Sequence, residues 1–114
     1  MKAYLIDPKT KEITEIEHDE KWESLYPIVG YDNFEVVTRL VGVGIRDALL
    51  VDQNGQMMGM DLRAEVKKRG AFIIKGQHAP VIGRAIFSGH TRDGEMCDPK
   101  TSVKTLKGLL MFLD

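Results

Sequence analysis

Residues 71–95 read AFIIKGQHAPVIGRAIFSGHTRDGE and hold two apolar runs, at 71–74 and 81–87, that are rich in β-branched and aromatic residues. Runs of this composition predict buried strands, and the polar stretch 75–80 between them predicts an exposed loop. The Asp93-Gly94 pair supplies the positive φ angles of a tight hairpin turn. This part of the chain therefore predicts strands that are mainly antiparallel.

The residues just before this stretch combine start and stop signals for a helix. Asp61 suits the N-cap of a helix over 62–69, three cations fill the last turn, and Gly70 follows. Further upstream, 45–52 predicts a strand, and Asn54-Gly55 predicts a hairpin turn after it. The return strand of that hairpin would carry three methionines, Met57, Met58 and Met60.

Three more strands are expected in the first third of the chain. Residues 3–7 and 12–17 flank Asp7-Pro8-Lys9-Thr10, whose residue types favour a tight turn. Residues 33–41 contain enough β-branched and aromatic side chains for a further strand.

A short helix is expected from residue 20 to 28, because apolar residues recur there at helical spacing. Pro27 should loosen its last turn, and Gly30 should end it. Trp22 and Tyr26 lie one helical turn apart, which favours core packing and leaves open an aromatic platform for a base or a sugar.

The last part of the chain predicts a helix and then a strand. Asp98-Pro99 introduces a short helical stretch with Val103 and Leu106 on one side. Gly108 is expected to end that helix, because residues 109–113 have no polar face and are better suited to a strand; the alternative is that the helix continues to Phe112.

These elements predict the α+β class, as a single domain over residues 1–114 with a mainly antiparallel, curved sheet and two or three short helices. The chain has 114 residues, of which 43% are apolar, enough to build a core without a metal or a disulfide. Cys97 is the single cysteine, which excludes an intrachain disulfide. The apolar runs are too short for a membrane span or a secretory signal, so we expect a cytoplasmic protein without membrane partners.

Charge is divided unevenly along the chain. Residues 1–60 carry 6 Lys and Arg against 11 Asp and Glu, a net charge of −5, whereas residues 61–114 carry 10 against 6, a net charge of +4. Between Val66 and Arg92 there is no acidic residue. The cations of this stretch are either solvated side chains paired with the acidic front half or part of an anion-binding surface.

Several short segments along nearly the whole chain resemble a family of small proteins from bacteriophages and other mobile elements, known only as a domain of unknown function. The resemblance is carried by Lys2-Ala3-Tyr4-Leu5-Ile6-Asp7-Pro8, Val29-Gly30, Phe34-Glu35-Val36-Val37, Val51-Asp52, Asn54-Gly55, Ile82-Gly83-Arg84-Ala85, Gly89, Asp93-Gly94 and Phe112-Leu113. Because these are mostly turn and core positions, the resemblance implies a fold and a genomic setting and transfers no catalytic residue.

Two site types are disfavoured by spacing. A metal site or a Cys–His nucleophile could be imagined among His90, Asp93, Glu95, Cys97 and Asp98. The Asp-Gly turn and the alternation of strand side chains would separate these groups. We therefore expect no metal and no cofactor.

The favoured hypothesis is a non-catalytic phage or mobile-element accessory protein that binds a host protein or a small, phosphate-bearing anion in the host cytoplasm, with counter-defence as one such role. The ligand-binding residues would be Lys75, His78, Arg84 and Arg92, near glycines that let backbone amides approach the anion. Nucleic-acid binding through residues 67–92 is the first alternative, although a pI near 6.3 disfavours it. The second is an enzyme acting on a phosphorylated small molecule with His78 or His90 as general acid or base.

A homodimer or higher homo-oligomer is also expected. The apolar segments 4–6 and 109–113 predict sheet edges, and a second copy of the chain is a low-cost way to cover such an edge.

Overall fold

The computed structural model describes residues 1–19, 21–38, 40–56, 61–77 and 79–113. Its strands are β1 (Lys2–Asp7), β2 (Glu12–Glu17), β3 (Phe34–Val37), β4 (Asp47–Asp52), β5 (Ala71–Ile74), β6 (Val81–Ile82), β7 (Ala85–His90), β8 (Met96–Cys97) and β9 (Leu110–Leu113). Its α-helices are α1 (Tyr26–Val29), α2 (Leu62–Arg69) and α3 (Val103–Leu109). The predicted α+β class with antiparallel strands is confirmed, but the strands form two sheets and not one.

The larger sheet has the strand order β2-β1-β7-β4-β3, with β8 paired to β7. The hairpin β1–β2 and the pair β3–β4 therefore lie on opposite sides of β7, and all these pairings are antiparallel. The smaller sheet has the order β6-β5-β9.

Each face of the larger sheet carries its own core because strand side chains alternate between faces. Leu49 and Phe87 point to one face and pack with the smaller sheet and with Leu106 of α3. Leu50 and Ile86, one residue along each strand, belong to a second core that includes residues of the helical segment 22–29.

The predicted helix over 62–69 is confirmed with the same bounds. Asp61 Oδ1 accepts a hydrogen bond from the Ala64 amide at 3.3 Å, and Gly70 ends the helix with φ 78°. A Cβ at residue 70 would lie 2.5 Å from the Lys9 backbone nitrogen, so the β1–β2 turn packs directly against the end of α2.

The helix expected over 20–28 differs in form. The chain makes a 3-10 turn over Trp22–Leu25 and then α1, which ends at Gly30 with φ 87°. Pro27 lies in the first turn of α1, where its missing N–H costs nothing, and does not loosen a last turn. Residue 20 lies outside the described residues. The strand expected over 33–41 is shortened to β3.

The hairpin predicted at Asn54-Gly55 is wrong. Residues Gln53–Gln56 form a 3-10 turn, with the Asn54 amide donating to Asp52 Oδ1 at 3.0 Å. β3 and β7 already pair with both edges of β4, so no edge is left for a return strand. Met57, Met58 and Met60 lie outside the described residues.

The apolar run 81–87 is divided between the two sheets. Gly83, at φ 82°, breaks the run, so that Val81–Ile82 belongs to the smaller sheet and Ala85–His90 to the larger one. The hairpin at Asp93-Gly94 is confirmed by the β7–β8 pairing. The last strand is confirmed as β9, and α3 extends one residue past Gly108.

The edge predicted at residues 4–6 is also wrong, since β1 pairs with β2 on one side and β7 on the other. β9 pairs with β5 alone among the described strands, so the predicted edge at 109–113 is present. Within the described residues, no helix is long and apolar enough to cross a membrane.

Candidate functional site

The structure separates the predicted ligand-binding residues. Arg84 precedes β7 and Arg92 follows it, so the six extended residues of β7 hold them about 20 Å apart. Lys75 is exposed just after β5 and lines neither of the cavities described below. His78 lies outside the described residues.

Arg84 lines a cavity of about 260 Å³, here called the Arg84 cleft. Its wall comes from the β1–β2 turn, the end of α2 and the β6–β7 junction, and consists of Asp7, Lys9, Thr10, Val29, Lys68, Arg69, Gly83 and Arg84. Four cations and one carboxylate therefore surround this cleft.

Three cations of the Arg84 cleft already have protein partners. Arg84 Nε lies 3.2 Å from Asp7 Oδ2, and Arg69 Nη2 lies 2.9 Å from Asp52 Oδ2. Lys9 Nζ donates to the Lys67 carbonyl near the end of α2. These contacts join segments distant in sequence, and both acids belong to the acidic front half of the chain. The cleft is thus mainly a structural junction.

Arg92 lines a second cavity of about 440 Å³, here called the Arg92 pocket. Its wall comes from the start of β4, the end of β7 and the turn that follows, with contributions from β3 and the helical segment. It is lined by Trp22, Val36, Thr38, Ile45, Arg46, Asp47, Ala48, His90, Thr91, Arg92 and Gly94.

Strand pairing positions the polar side of the Arg92 pocket. The His90 amide donates to the Arg46 carbonyl at 3.0 Å, which places the residue before β4 beside the end of β7. In the turn that follows, the Thr91 amide donates to the Glu95 carbonyl at 2.8 Å, and Thr91 Oγ1 accepts from the Glu95 amide at 3.1 Å. These bonds fix the turn that carries Arg92.

The cations of the Arg92 pocket differ from those of the Arg84 cleft. Among the described residues, the side chains of Arg46 and Arg92 have no ion-pair or hydrogen-bond partner. His90 Nε2 is buried and likewise has no hydrogen-bond partner in the described part of the chain. The pocket therefore brings together two available guanidinium groups, beside a histidine whose Nε2 is buried.

The single carboxylate on the wall of the Arg92 pocket already accepts three hydrogen bonds from the protein. Asp47 is 2% exposed, and its oxygens accept from the Lys100 amide at 3.0 Å, the Thr101 amide at 2.7 Å and Thr101 Oγ1 at 2.5 Å. Asp93 and Glu95 lie in the neighbouring turn but are exposed and outside the wall. The pocket wall is therefore net positive.

Sequence reasoning identified Arg92 but missed Arg46. Arg46 lies far from the acid-free stretch and reaches the pocket only through the pairing of β4 with β7. The predicted packing of Trp22 is confirmed, because its ring meets Phe34 edge-on at 5.5 Å; Trp22 also lines the pocket, and its use as an aromatic platform stays a prediction. Tyr26 contacts Phe34 at 5.8 Å and does not line the pocket.

The described residues contain no group of three or more His, Cys, Asp or Glu side chains able to hold a metal ion. Comparison with curated proteins and with solved structures found no match. A family model described as Domain of unknown function (DUF3846) matches residues 1–110. That match extends over nearly the whole chain, and the chain therefore belongs to the DUF3846 family.

Proposed function

We propose that this chain is a non-catalytic binding protein that holds a small, phosphate-bearing anion in the Arg92 pocket. The observation that carries the proposal is the convergence on one cavity of Arg46 and Arg92, whose guanidinium groups lack partners among the described residues. The proposed setting, a phage or mobile element acting in the host cytoplasm, rests on the sequence resemblance.

The chemistry of the two arginine side chains suits a phosphate group. A guanidinium presents paired N–H donors that match two phosphate oxygens, so Arg46 and Arg92 together can bind one phosphate group.

Binding without turnover is favoured by the rest of the wall. Apart from the arginines and His90, the wall of the Arg92 pocket presents apolar carbons, threonine hydroxyls and the Asp47 carboxylate. This carboxylate already accepts three hydrogen bonds from Lys100 and Thr101. A carboxylate engaged in this way holds the fold together and is a poor general base.

Thermal unfolding with inorganic phosphate and pyrophosphate, at constant ionic strength, tests the proposal. Ligand that binds only the folded state raises Tm by mass action, so wild-type Tm should rise with ligand concentration. Arg92→Ala and Arg46→Ala should each remove most of that rise. Arg84→Ala is the matched control and should keep it, because Arg84 is paired with Asp7. A flat wild-type response, or an unchanged response in Arg92→Ala, would reject the proposal.

A further inference from the structure

The wall of the Arg92 pocket has two chemically distinct parts. Arg46, His90 and Arg92 form a polar part, which carries two guanidinium groups. Trp22, Val36, Ile45 and Ala48 form an aromatic and apolar part. An inorganic anion would use only the first part and leave the second in contact with water.

Two side chains of the apolar part are exposed. Ile45, in the turn before β4, is 96% exposed and Val36 on β3 is 45% exposed, whereas Ala48, Leu49, Leu50 and Val51 of β4 are buried. Large apolar side chains left open beside convergent polar groups are typical of a ligand site.

The size of the cavity also indicates a ligand larger than phosphate. The volume of about 440 Å³ falls within the range of about 300–1,000 Å³ that is usual for pockets holding organic ligands. A phosphate group fills a small part of such a space, so the remainder must take an uncharged portion of the same molecule.

Trp22 identifies what that uncharged portion can be. Phe34 meets the indole ring edge-on, with 62° between the ring planes, and so supports it without forming a parallel stack. Planar bases stack on indole and other aromatic rings with little dependence on their identity.

Resting on the proposed function, we infer that the ligand of the Arg92 pocket is a single nucleotide, with its base against Trp22 and its phosphate at Arg46 and Arg92. The two guanidinium groups of the wall suit a single phosphate group, which favours a mononucleotide; binding of an RNA or DNA strand is an outcome of the test below.

Trp22 is the only tryptophan of the chain, so its fluorescence reports on this pocket alone. The wild-type protein is titrated with AMP, ribose 5-phosphate, adenosine and inorganic phosphate, followed by Trp22 fluorescence and by Tm. We expect AMP to change the fluorescence and to bind at least about 10-fold more tightly than ribose 5-phosphate or adenosine, because only AMP engages both parts of the wall.

Substitutions of Trp22 distinguish the contribution of the base to binding from that of the phosphate. Trp22→Leu should reduce AMP binding to the level of ribose 5-phosphate while the Tm response to inorganic phosphate remains, which also shows that the variant is folded. Trp22→Phe should restore part of the preference for AMP. If Trp22→Leu does not fold, the wild-type comparison of AMP with ribose 5-phosphate decides the question alone.

The possible failures are distinguishable. If phosphate and ribose 5-phosphate bind through Arg92 but AMP binds no more tightly, the nucleotide inference is overturned and the proposed function stands. If none of these compounds binds, both fail. A short RNA oligomer that binds more tightly than AMP, with affinity rising with length, would overturn the mononucleotide in favour of a nucleic-acid strand.

Discussion

Arg84 joins Asp7 across 77 positions of sequence, with Arg84 Nε 3.2 Å from Asp7 Oδ2. The same guanidinium donates from Nη1 to the Ile28 carbonyl at 2.9 Å, and Tyr31 donates its hydroxyl to the Arg84 carbonyl at 2.5 Å. One residue at the junction of β6 and β7 thus holds the end of β1 and the helical segment in place.

This arrangement predicts a larger loss of stability from Arg84→Ala than from Arg92→Ala. Arg84→Ala removes an ion pair and a hydrogen bond, but the side chain is 48% exposed, so we expect a loss of about 1 kcal/mol. Arg92→Ala should change stability by less than about 0.5 kcal/mol, because its side chain has no partner in the described part of the chain. Urea unfolding of both variants without phosphate measures the difference, and equal losses would contradict it.

The phenol of Tyr31 should make the protein less stable at alkaline pH. Burial, and then the nearby Asp52 carboxylate, raise the pKa of Tyr31 well above its ordinary value of 10.0. A group whose pKa is raised on folding contributes stability that is complete below its unfolded pKa and is lost as the pH rises above it.

The pH dependence can be assigned by comparing wild type with Tyr31→Phe. Between about pH 9 and pH 11 the free energy of unfolding should fall more steeply for wild type, because the two proteins differ only in the Tyr31 hydroxyl. Parallel curves would show that Tyr31 does not contribute.

Asp47→Ala should be strongly destabilising. The substitution leaves the Lys100 and Thr101 amides and the Thr101 hydroxyl without their acceptor at a site that is 2% exposed, and should cost about 3 kcal/mol. Asp47→Asn keeps one acceptor oxygen and should cost less. Asp32→Ala, at an exposed bend, is the control and should stay within about 0.5 kcal/mol of wild type. A small loss of unfolding free energy for Asp47→Ala, measured by urea unfolding, would show that these hydrogen bonds contribute little to stability.

Three glycines should respond differently to alanine. Gly70→Ala brings a Cβ within 2.5 Å of the Lys9 backbone at φ 78° and should cost most. Gly94→Ala meets nothing within 4 Å and carries only the strain of φ 88°, about 1 kcal/mol. Gly108→Ala lies in α3 with open space around it and should stabilise by about 0.5–1 kcal/mol. Thermal unfolding of the three variants should give this order, and any other order would contradict it.

The β9 edge should support self-association. Met111 on β9 is 61% exposed, and β9 pairs with β5 alone among the described strands, so a second copy could extend the smaller sheet. Light scattering should give twice the 12.8 kDa chain mass for wild type and the single mass for Met111→Lys. A wild-type protein that is only monomeric at micromolar concentration would reject this.

Sequence signals such as helix caps predicted correctly the elements whose bounds depend on neighbouring residues in the sequence. Asp61 and Gly70 act within one turn of α2, and its bounds were therefore predicted correctly. Asn54-Gly55 carries an equally strong local signal, but it failed because β4 has no free edge, and this is a tertiary property.

The same distinction applies to the candidate site. Grouping Arg84 with Arg92 assumed that cations close in sequence lie close in space, but an extended β7 runs between them. Arg46 carries no local signal at all, since only the pairing of β4 with β7 brings it to His90.

The central place of β7 also affects the order in which the chain can fold during translation. The β1–β2 hairpin and the β3–β4 pair leave the ribosome before β7, and two-stranded units of this kind are at best marginally stable alone. The two units can join only when residues 85–90 have emerged, because β7 pairs with both. The smaller sheet is completed later still, when β9 emerges and pairs with β5. Until these residues emerge, the nascent chain exposes unpaired strand edges with which other chains can pair.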